Sequence, residues 1–122
     1  MARILVVDDD ASLRQVLRQA LERSGHEVLE AQDADAGVEL CRETPPDIVL
    51  LDILMPDKAG LEMMLDLRRE RSDAKIIAMS GGSERADFEP LRSAQGLGAA
   101  GCLIKPFDLG TLKSTVHRVL NE

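Results

Sequence analysis

The sequence predicts an α/β fold in which a mostly parallel five-stranded sheet carries helices on both faces. Short apolar runs alternate along the chain with segments whose apolar residues recur every three or four positions, which is typical of repeated strand–helix units. Glycine, proline and helix-capping residues separate these segments. Five such units account for the 122 residues, so we expect a single domain over residues 1–122.

Five apolar runs predict the strands, which we number β1 to β5 in chain order. They lie at residues 4–7, 28–29 with their neighbours, 48–51, 76–79 and 102–104. The first helix, α1, carries across residues 13–21 an apolar stripe with helical period, formed by Leu13, Val16, Leu17, Ala20 and Leu21. Ser24 and Gly25 follow this stripe and predict the end of the helix.

The remaining helices are predicted by the same rules. The second, α2, lies between β2 and Pro45-Pro46, which end it. Helices α3 and α5 carry stripes within residues 61–65 and 109–120, formed by Leu61, Met64 and Leu65 and by Leu109, Leu112, Val116, Val119 and Leu120. Asp108 is the expected N-cap of α5. Helix α4 is expected within residues 84–96, where Pro90 indicates either a start near that residue or a kink.

The composition excludes several classes of protein. With 15 Lys and Arg against 22 Asp and Glu, the net charge is -7, so a nucleic-acid backbone would be repelled and we expect no nucleic-acid binding by this domain. Cys41 and Cys102 lack the spacing of metal ligands and indicate buried thiols in a reducing, cytoplasmic protein. The first apolar run is too short for a signal peptide or a membrane span, so we expect no membrane attachment.

Polar residues follow or end four of the predicted strands. Asp8 and Asp9 follow β1, Asp52 follows β3, Ser80 follows β4 and Lys105 follows β5. Each has an ordinary explanation alone, such as helix capping, a turn or a solvated charge. Because the carboxyl ends of parallel strands meet at one edge of the sheet, where α/β proteins bind ligands, we expect these five residues to converge on one site.

A cluster of carboxylates requires a cation. Two carboxylates about 4 Å apart repel each other by roughly 4 kcal/mol at an effective dielectric constant near 20. Oxygen ligands without His or Cys select a hard ion, and a small set of acids that leaves room for water and phosphate favours Mg²⁺ over Ca²⁺. His26 and His117 are expected to lie away from the strand ends and not to act as ligands.

Together, these motifs resemble those of the response-regulator receiver family across the whole chain. They are the segments 6–9 (VVDD), 51–56 (LDILMP), Ser80 and 105–107 (KPF). The resemblance implies a flavodoxin-like (βα)5 sandwich with strand order 2-1-3-4-5. It also implies a receiver domain over residues 1–122, with no output domain in this chain.

The resemblance implies a role for each matching residue. Asp52 would be the phosphoacceptor, and Asp8, Asp9, Asp52 and the backbone carbonyl of Leu54 would hold Mg²⁺. A carboxylate is a competent nucleophile toward phosphorus, and a metal ion, an ammonium and a hydroxyl can neutralise charge on the phosphoryl oxygens.

Ser80 and Lys105 would bind the phosphoryl oxygens, and the Lys105–Pro106 peptide bond would be cis. The resemblance implies a signalling phosphoacceptor, not an enzyme acting on a separate substrate, although the domain would assist its own phosphorylation and dephosphorylation.

The resemblance also implies partners. A sensor histidine kinase or a phosphotransferase would donate the phosphoryl group, and a downstream protein target would bind the α4–β5–α5 face. The domain would be a monomer or a weak dimer. Cys102 stands where many receivers carry Tyr or Phe, so an aromatic switch has no ring at that position. We expect any switch to use backbone shifts within residues 81–98 instead.

Two other functions compete with this interpretation. A phosphate-independent interaction domain would keep the fold but lack one of the acids, the hydroxyl or the lysine, and this chain has all five. A phosphatase of the haloacid-dehalogenase type also uses a nucleophilic aspartate with Mg²⁺, but it needs a second aspartate two residues after the nucleophile. Leu54 occupies that position, and its side chain cannot serve as a general acid.

Overall fold

The sheet is parallel and five-stranded, in the order β2-β1-β3-β4-β5, which confirms the predicted fold class. The computed structural model describes residues 2–53, 60–70, 73–81, 94, 96 and 98–122. The strands are β1 Arg3–Val7, β2 Glu27–Ala31, β3 Ile48–Asp52, β4 Lys75–Gly81 and β5 Gly101–Lys105.

Four helices are described along their length: α1 Ala11–Arg23, α2 Ala34–Glu43, α3 Gly60–Arg69 and α5 Leu109–Leu120. Most of the predicted α4, including Pro90, lies outside the described residues, although Ala94 and Gly96 are helical. Among the helices in the described part of the chain, none combines the length and the apolar character needed to cross a membrane.

Aspartates begin three of these helices. The side chain of Asp10 accepts hydrogen bonds from the backbone N–H groups of Ser12 and Leu13, and Asp33 and Asp108 cap α2 and α5 in the same way. A capping carboxylate satisfies N–H groups that have no partner within the helix. The predicted cap at Asp108 is therefore confirmed, and its pKa is lowered because the backbone N–H of Thr111 donates to the carboxylate.

Two apolar clusters cover the two faces of the sheet. Helices α2 and α3 pack on one face, and α1 and α5 pack on the other. Alternate strand residues supply each cluster, because successive side chains of a strand point to opposite faces. In β1, Leu5 and Val7 face α2 and α3, whereas Ile4 and Val6 face α1 and α5.

Some residues of the predicted apolar stripes are not core residues. Val16 of α1, Leu65 of α3 and Leu109 of α5 are between 39% and 48% exposed. In α3 the buried positions are Met63, Met64 and Leu67. The predicted stripes of α1 and α5 each include a residue outside the buried rows. The predicted stripe of α3 is wrong in position, because it omits the buried Met63 and Leu67 and includes the exposed Leu65.

Neither Cys41 nor Cys102 is part of a disulfide bond. Cys41 is buried between α2 and the sheet, and burial, with the nearby charge of Glu70, raises its pKa to about 11. This thiol is therefore protonated and unreactive near neutral pH. Cys102 is half-buried against the same apolar cluster, so its predicted burial is only partial. It lies on β5, an edge strand with β4 as its one neighbour.

Candidate functional site

The site lies at the carboxyl edge of the sheet, where neighbouring strands end side by side. Val7 pairs with Leu51 across β1 and β3, and each is followed in the chain by an aspartate, Asp8 and Asp52. The end of β4 pairs with the end of β5, where Gly81 lies opposite Lys105. The parallel register thus brings residues that are far apart in sequence to one place.

Three carboxylates meet at this edge. Asp8, Asp9 and Asp52 each offer one oxygen atom, and these atoms all lie within 4.8 Å of one another. Asp8 and Asp52 are buried, whereas Asp9 is exposed. Burial strengthens the repulsion between like charges, since there is less water to screen it. The repulsion within the cluster therefore destabilises the folded protein unless a cation lies beside the carboxylates.

Lys105 supplies one positive charge. Its ammonium donates hydrogen bonds to Asp8 Oδ2 at 2.6 Å and to Asp52 Oδ2 at 3.3 Å. Burial acts to lower the pKa of Lys105, but the hydrogen bond to Asp8 and the charges of Asp52 and Asp8 together outweigh it. The pKa of Lys105 is raised, so the side chain stays protonated at neutral pH.

The loop between β1 and α1 holds Asp8 by its backbone as well. The N–H of Asp8 donates to the carbonyl of Ala31 at the end of β2, and its carbonyl accepts from Arg14 Nη1 at 2.6 Å. The N–H of Asp10 donates to Asp8 Oδ1 at 2.9 Å. Sequence reasoning did not single out Arg14, because nothing in the spacing of an arginine on α1 shows that it reaches a carbonyl group at a strand end.

Ser80 is fully buried in β4 and lies opposite Ile104 of β5, next to Lys105. The Lys105–Pro106 peptide bond is cis, as the family resemblance implied. Within the described residues, each buried polar side-chain atom has a hydrogen-bond partner. Leu54, which would contribute a backbone carbonyl to the site, lies outside the described residues.

The donor set fits a hard cation such as Mg²⁺. Three carboxylates face one ammonium, which leaves excess negative charge, and all the grouped ligand atoms are carboxylate oxygens. Neither histidine belongs to this set. His26 precedes β2 at the amino edge of the sheet, and His117 lies in the last turn of α5 beside Asn121.

A sequence profile of the response regulator receiver domain matches residues 4–117. Protein PilH of Pseudomonas aeruginosa is 35% identical over 120 residues, with 98% of both chains covered. The DNA-binding transcriptional regulator NtrC of Azospirillum brasilense is 39% identical over 121 residues. The chain covers 24% of that NtrC protein and 52% of KdpE, the KDP operon transcriptional regulatory protein of Escherichia coli, so it spans only part of these relatives.

Solved structures agree with this similarity. The chemotaxis protein CheY4 of Vibrio cholerae superposes with a TM-score of 0.88 at 30% sequence identity, and 98% of each chain is covered. A receiver domain protein from Clostridium thermocellum gives a TM-score of 0.90 at 27% identity, covering 99% of this chain and 95% of that one. The similarity therefore extends over both sequence and fold.

Proposed function

The chain belongs to the response regulator receiver domain family, and on that premise we propose that Asp52 is its phosphoacceptor. Receiver domains act in two-component signal transduction, and this chain is one of them. One observation carries the proposal: Lys105 is hydrogen-bonded to both Asp52 and Asp8, within a cluster of three carboxylates. This arrangement supports the proposal, because a carboxylate that can act as a nucleophile lies beside an ammonium that can bind an anion.

Asp8, Asp9 and Asp52 would hold Mg²⁺, and the backbone carbonyl of Leu54 would be a further ligand. The closeness of the three carboxylate oxygens and their excess negative charge support this assignment. When bound, the ion would neutralise charge on the acids and on an incoming phosphoryl group. Without that neutralisation, the acidic edge repels a phosphate anion.

Phosphoryl transfer would form a bond between an oxygen of Asp52 and phosphorus, while the bond to the donor's leaving group breaks. Lys105 stays positively charged in this environment, so its ammonium is available to bind a phosphoryl oxygen in place of Asp52. The hydroxyl of Ser80 would bind a second phosphoryl oxygen, since Ser80 lies on the strand between those of Asp52 and Lys105.

Proteins related to this chain are signalling regulators and not conventional enzymes, and their partners are histidine kinases or phosphotransferases. We propose that such a protein donates the phosphoryl group, and that the domain assists its own phosphorylation and dephosphorylation. The downstream protein target would bind the α4–β5–α5 face of a cytoplasmic monomer or weak dimer. The receiver domain would extend over residues 1–122.

The alternatives find no support in the comparisons. The matched family consists of response regulator receivers and not of phosphatases. A domain that works without phosphate does not require two buried carboxylates that share one lysine, as Asp8 and Asp52 share Lys105. The chain keeps Asp8, Asp9, Asp52, Ser80 and Lys105.

The proposal is tested by incubating the protein with acetyl phosphate and measuring, by mass spectrometry, the increase in protein mass that one phosphoryl group causes. We expect labelling in the presence of Mg²⁺ and none with a chelator. Asp52→Asn should abolish labelling, whereas Asp73→Asn, at an exposed aspartate before β4, should leave it unchanged. Equal labelling of the Asp52→Asn variant and the parent would disprove the assignment. A panel of histidine kinases would then identify the natural donor.

A further inference from the structure

Asp8 is held at both of its backbone groups, by β2 directly and by a side chain of α1 that is anchored on β2. Its N–H donates to the carbonyl of Ala31 at 3.2 Å. Its carbonyl accepts from Arg14, whose Nε is bound to Oε1 of Glu30, the neighbour of Ala31, at 3.2 Å. Two adjacent residues of β2 therefore fix the position of Asp8, one directly and the other through Arg14.

The shape of an arginine side chain makes this bridge possible. The planar guanidinium donates in two directions at once, to a carbonyl through Nη1 and to a carboxylate through Nε. The Arg14 side chain is only 15% exposed, and that of Glu30 is 27% exposed, so water competes weakly for these bonds. The second oxygen of Glu30 binds Nη1 of Arg18 at 2.8 Å, so Arg14 and Arg18 bind different oxygens of this carboxylate.

We propose that Arg14 is a positioning residue for the cation and phosphoryl site, acting through the backbone of Asp8 with Glu30 as its anchor. This inference rests on the proposed function. The Asp8 carboxylate binds Lys105 and belongs to the acidic cluster, so a shift of Asp8 changes its distances to the other charged groups. Hydrogen bonds that orient the groups around a metal ion commonly change its affinity by about 10-fold to 100-fold.

Charge and position predict opposite results for one variant. Arg14→Gln removes a positive charge near the acids, so an effect of charge alone would tighten Mg²⁺ binding. If Arg14 acts by holding Asp8, the same variant weakens Mg²⁺ binding, because the carboxylate is no longer kept in place. The direction of the change therefore separates the two explanations.

Calorimetric titration with Mg²⁺ provides the measurement, since the chain has no Trp or Tyr to report binding by fluorescence. We expect Arg14→Gln to raise the dissociation constant about 10-fold. Arg14→Lys keeps the charge but loses the second donor direction, and Glu30→Gln keeps Arg14 but weakens its anchor. Each of these two variants should raise the dissociation constant for Mg²⁺ about threefold.

Arg18→Gln is the matched control. Like Arg14→Gln, it removes one positive charge from α1 and one hydrogen bond to Glu30. Arg18, however, donates no described bond to Asp8. We expect its dissociation constant for Mg²⁺ to stay within about twofold of the parent value.

A second readout needs no metal. Hydrogen exchange at the amides of Asp8 and Asp10 in the metal-free protein should accelerate in Arg14→Gln and stay at the parent rate in Arg18→Gln. Urea unfolding of each variant separates positioning from general stability. If Arg14→Gln lowers stability while its Mg²⁺ affinity stays at or above that of the parent, the residue is structural and the inference is overturned.

The two proposals fail in different ways. If the parent binds Mg²⁺ but Asp52 takes no label, the proposed function is wrong, and the dissociation constants still decide whether Arg14 positions Asp8. If Asp52 is labelled and Arg14→Gln binds Mg²⁺ as the parent does, the function stands and the positioning role is wrong. A parent that binds no Mg²⁺ overturns both. Should Arg14→Gln fail to fold, Arg14→Lys carries the test, because it keeps the charge and changes only the geometry of the donor.

Discussion

The two edges of the sheet each carry a pair of opposite charges, but the two pairs differ in their exposure to water. At the carboxyl edge, the Lys105 side chain is 21% exposed and binds Asp8, whose side chain is completely buried. At the amino edge, Arg3 binds Glu27 across β1 and β2 at 3.2 Å, with side chains 37% and 57% exposed. Water screens the second pair more strongly than the first, so the two ion pairs differ in energy and in the effect of losing them.

An exposed ion pair typically contributes less than about 1 kcal/mol to stability, and its loss is absorbed by water. A buried charge that loses its partner has no such replacement, and its desolvation is no longer compensated. The amino edge can therefore vary with little effect, whereas the carboxyl edge maintains close like charges at a cost in stability. A site that binds a cation and a phosphoryl group requires that concentration of charge.

Two lysines give the largest predicted contrast between the edges. Lys105→Met should slow labelling of Asp52 by acetyl phosphate about 100-fold, because the phosphoryl oxygens lose a positive charge. Lys75 at the start of β4 donates to the carbonyls of Val119 and Glu122. Lys75→Met should lower the free energy of unfolding by about 1 kcal/mol and leave labelling within about twofold of the parent. Equal labelling rates for the two variants would contradict the proposed role of Lys105.

Adding Mg²⁺ should stabilise the protein through the carboxyl edge alone. At a concentration 100 times the dissociation constant, a ligand that binds only the folded state raises the free energy of unfolding by about 2.7 kcal/mol. Urea unfolding followed by circular dichroism measures this gain. Glu27→Gln at the amino edge should retain it, and Asp9→Asn should lose at least half of it at the same concentration. A full gain in Asp9→Asn would remove that carboxylate from the cation site.

The convergence of Asp8, Asp52 and Lys105 could be predicted from the sequence, because parallel strands bring their carboxyl ends to one edge. The prediction needed only the parallel direction of the strands and the residues that follow each strand. Ser80 could be located for the same reason. Helix capping, an ordinary explanation for an acid at this position, does not apply to Asp9, because Asp10 caps α1.

The bridge through Arg14 could not be predicted, because its partner Glu30 lies on another element and its acceptor is a backbone carbonyl. Periodicity shows which helix face is apolar but does not show how far a long polar side chain extends. The same limitation explains why Val16 and Leu109 are exposed, although their positions fit the apolar stripes of their helices. Contacts between elements depend on packing distances that a pattern along the chain does not contain.

In the absence of metal, removing a carboxylate should have opposite effects at the two edges. Asp9→Asn relieves repulsion within the acidic cluster, so we expect the free energy of unfolding to rise by about 0.5–1 kcal/mol. Glu27→Gln loses the ion pair with Arg3, so we expect a fall of up to about 1 kcal/mol. Urea unfolding in the presence of a chelator measures both. A loss of stability in Asp9→Asn would show that Asp9 is held by favourable contacts and is not a strained member of the cluster.

The smallest predicted effect belongs to the amino edge and depends on pH. Burial lowers the pKa of His26 below its ordinary value of 6.5, and its Nδ1 accepts a hydrogen bond from the backbone N–H of Ala2 at 3.1 Å. The folded protein therefore takes up a proton at His26 less readily than the unfolded chain does. The resulting stability is fully present above the unfolded-state pKa and is lost as the pH falls through the folded-state pKa.

Asn at this position can keep an acceptor for the Ala2 N–H group without titrating. The difference in unfolding free energy between the parent and His26→Asn should therefore shift against the parent by a few tenths of a kcal/mol between about pH 8 and pH 5, since the ring is partly exposed and water screens the charge. Labelling of Asp52 at neutral pH should be the same in both proteins, because His26 lies at the opposite edge of the sheet. A difference in stability that stays constant across this pH range would show that protonation of His26 does not disturb its bond to Ala2. In that case, His26 would make no pH-dependent contribution to the free energy of unfolding at the amino edge.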